Sequence, residues 1–273
     1  MKKKLSVAYL VAIFGILYIP ILTLIFFSFN SANSTAVFGS FSLRWYRELF
    51  NSPDTFTALR NTLILAISSA TLATVIGTAA AEGIYKMKSK LLKATINSVT
   101  NIPMMNPDIV TGMSMMLFFV VVAGILRVSY DDMGFIAMLI AHITFCLPYV
   151  ILSVLPRITE FGDSLSEAAL DLGCTPIQAF FKVKLPNIMH GVVSGFVMAF
   201  TLSLDDFVIS YFVGSSKFQT LPLLIYSMTK KKVTPDMYAL STLIIITIFA
   251  LLLFSNIRSS REDERRKRKA AKK

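Results

Sequence analysis

Six long apolar runs, separated by polar connections, dominate the hydrophobic pattern of this chain. Each run reaches about 20 residues, the length that an α-helix needs to cross the hydrocarbon core of a bilayer. Because that core offers no water to open backbone groups, such runs must be helical. The pattern therefore predicts an all-α integral membrane protein with six transmembrane helices. These are Leu5–Phe29, Asn61–Ile84, Pro103–Leu126, Gly134–Pro156, Gly191–Val213 and Met237–Ile257.

Two of the six runs carry small residues at every fourth position. Small residues at this spacing let helix backbones approach closely, which is the main packing device where lipid supplies no hydrophobic drive. They are also common in membrane spans in general, so a single stripe can arise without a packing role. The stripes predict that both helices lie in the interior of a bundle. Their members are Ala73, Gly77 and Ala81 in the second run, and Gly191, Gly195, Ala199 and Ser203 in the fifth.

A polar, helix-forming stretch interrupts the apolar pattern between the fourth and fifth runs. Asp163 or Ser164 can cap a first helix there, and Glu167, three residues after Ser164, completes a potential capping box. Gly173 can take the left-handed conformation that ends this helix. The pattern predicts a short helix followed by a glycine turn.

The second half of the same stretch restarts a helix. Thr175 is suited to the N-cap and Pro176 to the first helical position, and the helix is predicted to run until Pro186. An apolar stripe on the first helix is suited to a groove on another protein. The alternative is a helix lying on the membrane surface, although such anchors use bulkier residues than alanine. The stripe consists of Leu165, Ala168, Ala169 and Leu172.

Composition and charge agree with a membrane protein and give its orientation. Of the 273 residues, 55% are hydrophobic and 16% are charged, and the net charge is +11. The charges lie between the apolar runs, so membrane topology accounts for them and no nucleic-acid partner is expected. On the side that holds the N-terminus lie 19 of the 27 Lys and Arg residues. The positive-inside rule then places both termini and the polar stretch in the cytoplasm, with the basic tail near anionic membrane lipid.

The sequence contains no catalytic or metal-binding constellation. It lacks a phosphate loop and a nucleophile elbow, and neither His142 nor His190 has cysteine or carboxylate partners at metal-ligand spacing. Cys146 and Cys174 are predicted to be free thiols. The chain is therefore predicted not to be an enzyme, and any ATP hydrolysis that drives it must come from another chain. His142, inside the fourth run, is interpreted as a hydrogen-bonded bundle residue rather than a ligand.

Three aspartates in the apolar runs require an explanation. Asp205 and Asp206 lie about 22 Å from the cytoplasmic end of the fifth run, where a charge costs about 2.5–3.5 kcal/mol. Two interpretations stay open: a cation-attracting site at the mouth of a pathway, or carboxylates that pair with Lys or Arg or cap a broken helix. Asp108 follows Asn106-Pro107 and fits an ordinary helix start, with Asn as cap and Pro at the first position. It is also a candidate for the pathway.

The polar stretch carries a family motif. The pattern E-A-A-x-x-x-G, followed after nine intervening residues by I-x-L-P, marks permease subunits of binding-protein-dependent ATP-binding-cassette (ABC) importers. Here it reads Glu167-Ala168-Ala169, Gly173 and Val183-Lys184-Leu185-Pro186, with Val in place of Ile. The chain resembles this family from about the second apolar run to the sixth.

A finer resemblance points to the polyamine branch of the family. Residues 141–145, 201–210 and 221–228 look like segments of the second permease subunit of spermidine/putrescine importers. This resemblance implies polyamine import. Importers of sulfate, ferric ion or a phosphonate share the hairpin and remain alternatives. An ion-driven secondary transporter is a further alternative, although the inverted repeat typical of such proteins is not clearly visible. A membrane scaffold without a transport role is the third. The candidate residues of the substrate pathway are Asp205, Asp206, Ser203 and Tyr211, with Asp108 as a further one.

The family resemblance also implies a domain plan and partners in a bacterial inner membrane. A first helix (1–30) and an extracytoplasmic loop (31–60) precede the transmembrane core (61–257), which contains the coupling hairpin (160–190) and is followed by the tail (258–273). The partners would be a sister permease subunit, two copies of a cytoplasmic ATPase that bind ATP and Mg²⁺, and an extracytoplasmic binding protein. No cofactor is expected on this chain. The residues implied in ATPase coupling are Glu167, Ala168, Ala169, Asp171, Gly173, Leu185 and Pro186.

Overall fold

The computed structural model describes residues 2–32, 37–231, 236–247 and 249–250, and within them the chain is almost entirely helical. In chain order the helices are α1 Lys2–Phe27, α2 Arg44–Asn51, α3 Pro53–Lys86, α4 Lys90–Met105, α5 Asp108–Leu126, α6 Tyr130–Phe161, α7 Ser164–Asp171, α8 Pro176–Ala179, α9 Leu185–Asp205, α10 Val208–Val213, α11 Leu221–Lys231 and α12 Asp236–Thr247. A π-helical turn, Phe180–Lys184, joins α8 to α9.

Over the residues that the structure describes, five helical segments are long and apolar enough to cross a bilayer. They correspond to the first five predicted spans, which confirms the all-α membrane fold. Helix α12 covers the start of the sixth predicted span, Met237–Ile257. Apart from residues 249–250, the remainder of that span and the tail 258–273 lie outside the described residues. The five segments are Tyr9–Phe27, Pro53–Lys86, Asp108–Leu126, Tyr130–Phe161 and Pro176–Asp205.

The predicted third span, Pro103–Leu126, is wrong at its start, because two helices meet there. Asn106 is extended, with φ −79° and ψ 138°, as expected for a residue that precedes proline. Asn106 therefore ends α4 instead of capping α5, and Pro107 occupies the N-cap of α5. Asp108 is the first residue of α5, so its predicted place in the first turn of a helix is confirmed.

The predicted fifth span, Gly191–Val213, is wrong at its start and in its continuity, whereas its end agrees with the end of α10. Its helix starts within the hairpin and continues from Pro176 to Asp205. It stops there because Asp206 is extended, with φ −61° and ψ 122°, and the short helix α10 follows. The fifth span is therefore a broken helix with an aspartate at the break.

The chain forms two compact units, and the first comprises residues 1–57 and 224–273. In this unit Asn30 forms an isolated bridge with Phe41, and the Trp45 indole N–H donates to the Asn30 carbonyl. Trp45 and Leu49 are the buried residues of α2. An ordered amphipathic helix thus lies within the predicted extracytoplasmic loop.

The second unit, residues 58–223, is built around the packed pair α6 and α9. All members of both small-residue stripes are buried. Val150 of α6 lies between the stripes, because a Cβ atom added at Gly77 or at Gly195 would meet it at 2.7 Å and 3.3 Å, respectively. Both stripes therefore face the interior, but the helices that carry them are not interior as a whole, because Val75 of α3 is 65% exposed and Val193 of α9 is 46% exposed.

Replacing Gly77 with alanine is expected to destabilise the protein through this contact. The added Cβ would lie 2.7 Å from Val150 Cγ1, and overpacking of this kind costs about 1–3 kcal/mol. Gly83→Ala in the same helix is the matched control, because a Cβ there meets no described atom within 4 Å. Both variants gain the same helix propensity, so thermal unfolding of the purified protein in detergent isolates the clash. Equal melting temperatures for the two variants would contradict the packing argument.

The loop that follows α10 is bound to the start of α6. The Asp131 carboxylate accepts the Ser216 N–H at 3.1 Å and the Ser216 hydroxyl at 2.8 Å. Lys217 pairs with Asp132, and the hydrogen bond and charge of that carboxylate raise the pKa of Lys217. These exposed contacts join two parts of the chain that are 85 residues apart.

Candidate coupling hairpin and substrate-pathway site

The first helix of the hairpin, α7, does not begin with the predicted capping box. Asp163 is the N-cap, and its carbonyl accepts the Glu167 N–H at 2.8 Å. The Asp163 carboxylate lies 3.5 Å from Lys184 Nζ instead of bonding to the first turn of the helix. A buried ammonium is the stronger partner because a bond between two charged groups exceeds a bond to a neutral amide.

The end of α7 is the predicted glycine turn. Gly173 has φ +86°, in the left-handed region. Its N–H donates to the Leu170 carbonyl at 2.9 Å, and the Cys174 N–H donates to the Ala169 carbonyl at 3.0 Å. This pair of bonds is a Schellman motif, which satisfies carbonyls that a helix end would leave open. The predicted left-handed Gly173 is confirmed.

The second half of the hairpin restarts at Thr175 as predicted, but it does not stop at Pro186. Thr175 and Gln178 form a reciprocal capping box, with bonds of 3.3 Å and 3.2 Å. The π-helical turn lets the Leu185 N–H reach back to the Phe180 carbonyl. Pro186 then falls in the first turn of α9, directly after the π-helical turn. The hairpin therefore runs into the fifth span without a stop.

An exposed apolar surface covers much of the hairpin, and we call it the hairpin patch. Ala169 points inward and is only 6% exposed, whereas Leu172, which the sequence places on the same stripe, is 87% exposed. Glu167, Ala168 and Asp171 are also exposed. The hairpin patch consists of Leu170, Leu172, Ile177 and Phe181, which are 42%, 87%, 71% and 60% exposed, respectively.

The two neighbouring aspartates at the end of α9 have different environments. Asp205 is the last residue of α9 and is exposed. The Asp206 side chain is 7% exposed, and its two oxygens accept the N–H groups of Ile209 at 3.2 Å and Ser210 at 2.8 Å. Asp206 therefore caps α10, as one of the two sequence interpretations expects, while Asp205 is accessible to a ligand.

A buried polar network surrounds the helix break. The His142 ring of α6 contacts the Ser203 hydroxyl at 2.7 Å through Nδ1 and the Ser210 hydroxyl at 3.2 Å through Nε2. Its Nε2 also lies 3.5 Å from an Asp206 oxygen. Ser203 in turn bonds to Ser69 of α3 at 2.9 Å. His142 thus joins α6 to both sides of the break, which confirms that it is a hydrogen-bonded bundle residue.

The remaining predicted pathway residues fall into two groups. Ser203 is 2% exposed and belongs to the buried network, so it stabilises the helix break and is not accessible to a substrate. Tyr211 of α10 is 46% exposed, and Asp108 is exposed at the start of α5. The accessible candidates are therefore Asp205, Tyr211 and Asp108.

Sequence reasoning missed three residues that organise these sites. Ser69 and Ser210 complete the His142 network, and Lys184 joins the hairpin to α3. Their partners lie between 68 and 134 residues away along the chain, so no local pattern identifies them. Among the described residues, no group of three His, Cys, Asp or Glu side chains is placed to hold a metal ion.

The helical fold, the broken fifth span and the hairpin define a polytopic membrane transport subunit. Residues 73–260 match the model of the family described as binding-protein-dependent transport system inner membrane component. The chain belongs to this family. It is a permease subunit rather than an enzyme.

Curated relatives resemble the chain along most of its length. It is 38% identical over 250 residues to the spermidine/putrescine transport system permease protein PotC of Haemophilus influenzae, covering 92% of this chain and 94% of the relative. It is also 38% identical to the putrescine transport system permease protein PotI of Escherichia coli K12, covering 85% and 82%, respectively.

Two solved structures share the fold. A bacterial ABC transporter involved in the import of the acidic polysaccharide alginate matches with a TM-score of 0.76 at 17% identity, covering 95% of this chain and 96% of that one. The MetNI methionine ABC transporter in inward-facing conformations matches with a TM-score of 0.61 at 19% identity, covering 77% and 98%. At these identities the likeness concerns the fold alone.

Proposed function

We propose that this chain is the permease subunit of an ABC importer that moves polyamines across the inner membrane into the cytoplasm. The observation that supports polyamines as the substrate is the 38% identity, over 92% of the chain, to a spermidine/putrescine permease. The exposed Asp205 carboxylate fits a polycationic substrate, since carboxylates in membrane spans mark cation pathways. Two carboxylates alone do not specify a polyamine, so relatedness and charge support the proposal together.

The hairpin patch is the proposed docking surface of a cytoplasmic ATPase. Four large apolar side chains of the hairpin are exposed, and exposed apolar surface of this kind marks protein contacts. The residues implied in this contact are Glu167, Ala168, Asp171, Gly173, Leu185 and Pro186, and the buried Ala169 supports them from inside the hairpin. Two copies of the ATPase, which bind ATP and Mg²⁺, would act on this chain and on a sister permease. An extracytoplasmic binding protein would deliver the substrate. This kind of partner is supported by a structural neighbour, a bacterial alginate ABC transporter in complex with an alginate pentasaccharide-bound periplasmic protein.

Continuity between the hairpin and the fifth span supports an alternating-access mechanism. The segment Pro176–Asp205 has 30 residues and is one uninterrupted rod, about 45 Å long at 1.5 Å per residue. Closure of the ATPase dimer would displace the hairpin and, through this rod, the helix break that carries Asp205. Asp205 would attract the released polyamine, with Tyr211 and Asp108 as further pathway residues. In this arrangement both termini and the hairpin lie in the cytoplasm.

Uptake by the reconstituted complex tests the proposal. We expect proteoliposomes that contain this chain, its sister permease and the ATPase to take up radiolabelled spermidine or putrescine when the binding protein and ATP are present. Disabling the phosphate loop of the ATPase should stop uptake. Binding of sulfate, ferric ion or a phosphonate, instead of a polyamine, by the matching binding protein would overturn the cargo. Uptake that continues without ATP hydrolysis would identify a secondary transporter instead.

A further inference from the structure

Lys184 is a buried cation at the junction of three segments. Its side chain is 4% exposed, and its Nζ lies 2.9 Å from the Glu82 carboxylate and 3.5 Å from Asp163 Oδ1. The same Nζ lies 4.6 Å from the centroid of the Tyr85 ring. Burying a charge is costly unless it is paired, so these contacts account for its position.

The partners of Lys184 lie in two different segments of the chain. Glu82 and Tyr85 lie near the C-terminal end of α3, and Asp163 directly precedes α7. Lys184 itself ends the π-helical turn that leads into α9. Such turns re-aim side chains and are frequent at functional sites. The Lys184 ammonium is thus a direct link between the end of α3, the start of the hairpin and the base of the fifth span.

The two carboxylates hold Lys184 to different degrees. Glu82 is 13% exposed and contacts Lys184 through both oxygens at 2.9 Å. Asp163 is 48% exposed and touches it at 3.5 Å. Screening by solvent weakens the outer contact more than the inner one. The ion pair of Lys184 with Glu82 of α3 is therefore the stronger one. The ion pair with Asp163, next to α7, is the one that a displacement of the hairpin would break first.

We infer that Lys184 is a positioning residue that couples the hairpin to α3 and α9, so that a push on α7 moves both helices together. The inference rests on the proposed function, because it requires an ATPase that acts on the hairpin. The contacts of Lys184 are with this chain and not with the substrate. Its loss is therefore expected to change how efficiently ATP hydrolysis drives transport, rather than which substrate is carried.

Lys184→Met tests the inference in the complete reconstituted complex. The substitution keeps the length of the side chain and removes its charge, while Glu82 keeps Lys86 as a cation at 3.0 Å. We expect the number of ATP molecules hydrolysed per spermidine transported to rise about tenfold, the upper part of the range for residues that modulate coupling. Lys182→Met is the matched control, because Lys182 is an exposed lysine on the same turn. Its ratio should equal that of the unmodified complex.

Further variants separate coupling from folding. A purely structural role would lower the amount of assembled complex and leave the ATP-to-spermidine ratio unchanged, which would overturn the inference. If Lys184→Met does not assemble, Asp163→Asn decides the matter, because its half-exposed side chain can be changed without opening the core. An unchanged ratio in Asp163→Asn would then overturn the inference. Failure of the proposed function would instead appear as the unmodified complex not transporting spermidine.

Discussion

Gly173→Val is expected to abolish most ATP-driven uptake while the assembled complex still hydrolyses ATP. Gly173 has φ +86° between the two halves of the hairpin, and an L-residue in this conformation costs about 1–2 kcal/mol. A β-branched residue resists it further. A Cβ added at Gly173 would meet no described atom within 4 Å. The expected effect is therefore conformational and does not come from a steric clash.

The mechanism of this loss follows from the turn itself. A residue that leaves the left-handed region breaks the bonds from Gly173 to Leu170 and from Cys174 to Ala169. The hairpin patch then divides, since Leu170 and Leu172 precede the turn and Ile177 and Phe181 follow it. A divided patch cannot pass the movement of the ATPase to the rod formed by Pro176–Asp205.

A series of side chains at position 173 provides the control. Asparagine visits the left-handed region more readily than other residues with a side chain, so Gly173→Asn should retain most uptake, Gly173→Ala less, and Gly173→Val least. Uptake of radiolabelled spermidine and ATPase activity of the reconstituted complex give the two readouts. If the Asn and Val variants transport equally well, the turn conformation does not matter for coupling.

Local backbone chemistry explains why the hairpin was predictable in part. Gly173 and Thr175 act on neighbours within a few residues, so their roles follow from sequence. The capping box at Ser164 is absent because Asp163 takes the N-cap and Ser164 becomes the first residue of α7. The Asp163 carboxylate does not cap α7 either, since it contacts Lys184, which is 21 residues away. The end predicted at Pro186 failed because a π-helical turn is invisible to a pattern that assumes regular helical spacing.

Hydrophobic length located the spans but not their breaks. A run of apolar residues has the same hydropathy whether or not its backbone bonds are continuous, so the breaks at Pro107 and Asp206 lay inside predicted helices. The buried face of each small-residue stripe was predicted correctly, because spacing alone determines which residues share one face of a helix. The His142 network joins residues 61 and 68 positions apart, and only the tertiary fold brings them together.

Asp205 and Asp206 are expected to give different transport defects, although the sequence suggests one shared role. Asp205 is exposed at the end of α9. Asp205→Asn should therefore raise the spermidine concentration for half-maximal uptake and leave the maximal rate nearly unchanged. Asp206 is almost buried and accepts two backbone N–H groups of α10. Asp206→Ala removes a cap worth about 1 kcal/mol and leaves buried donors unpaired, at about 1–3 kcal/mol.

If loss of this cap costs the helix break roughly 1.4 kcal/mol, which lies within these costs, the maximal uptake rate is expected to fall about tenfold, because that free energy corresponds to a factor of ten. The half-saturating concentration should change little. Asp206→Asn removes the charge and one of the two acceptors, because asparagine offers one oxygen where Asp206 uses both. It should restore only part of the rate that Asp206→Ala loses. Initial uptake rates over a range of spermidine concentrations, with melting temperatures of each variant, measure both effects. If Asp206→Asn instead shifts half-saturation as far as Asp205→Asn does, the Asp206 carboxylate acts on the substrate and not only on the helix break.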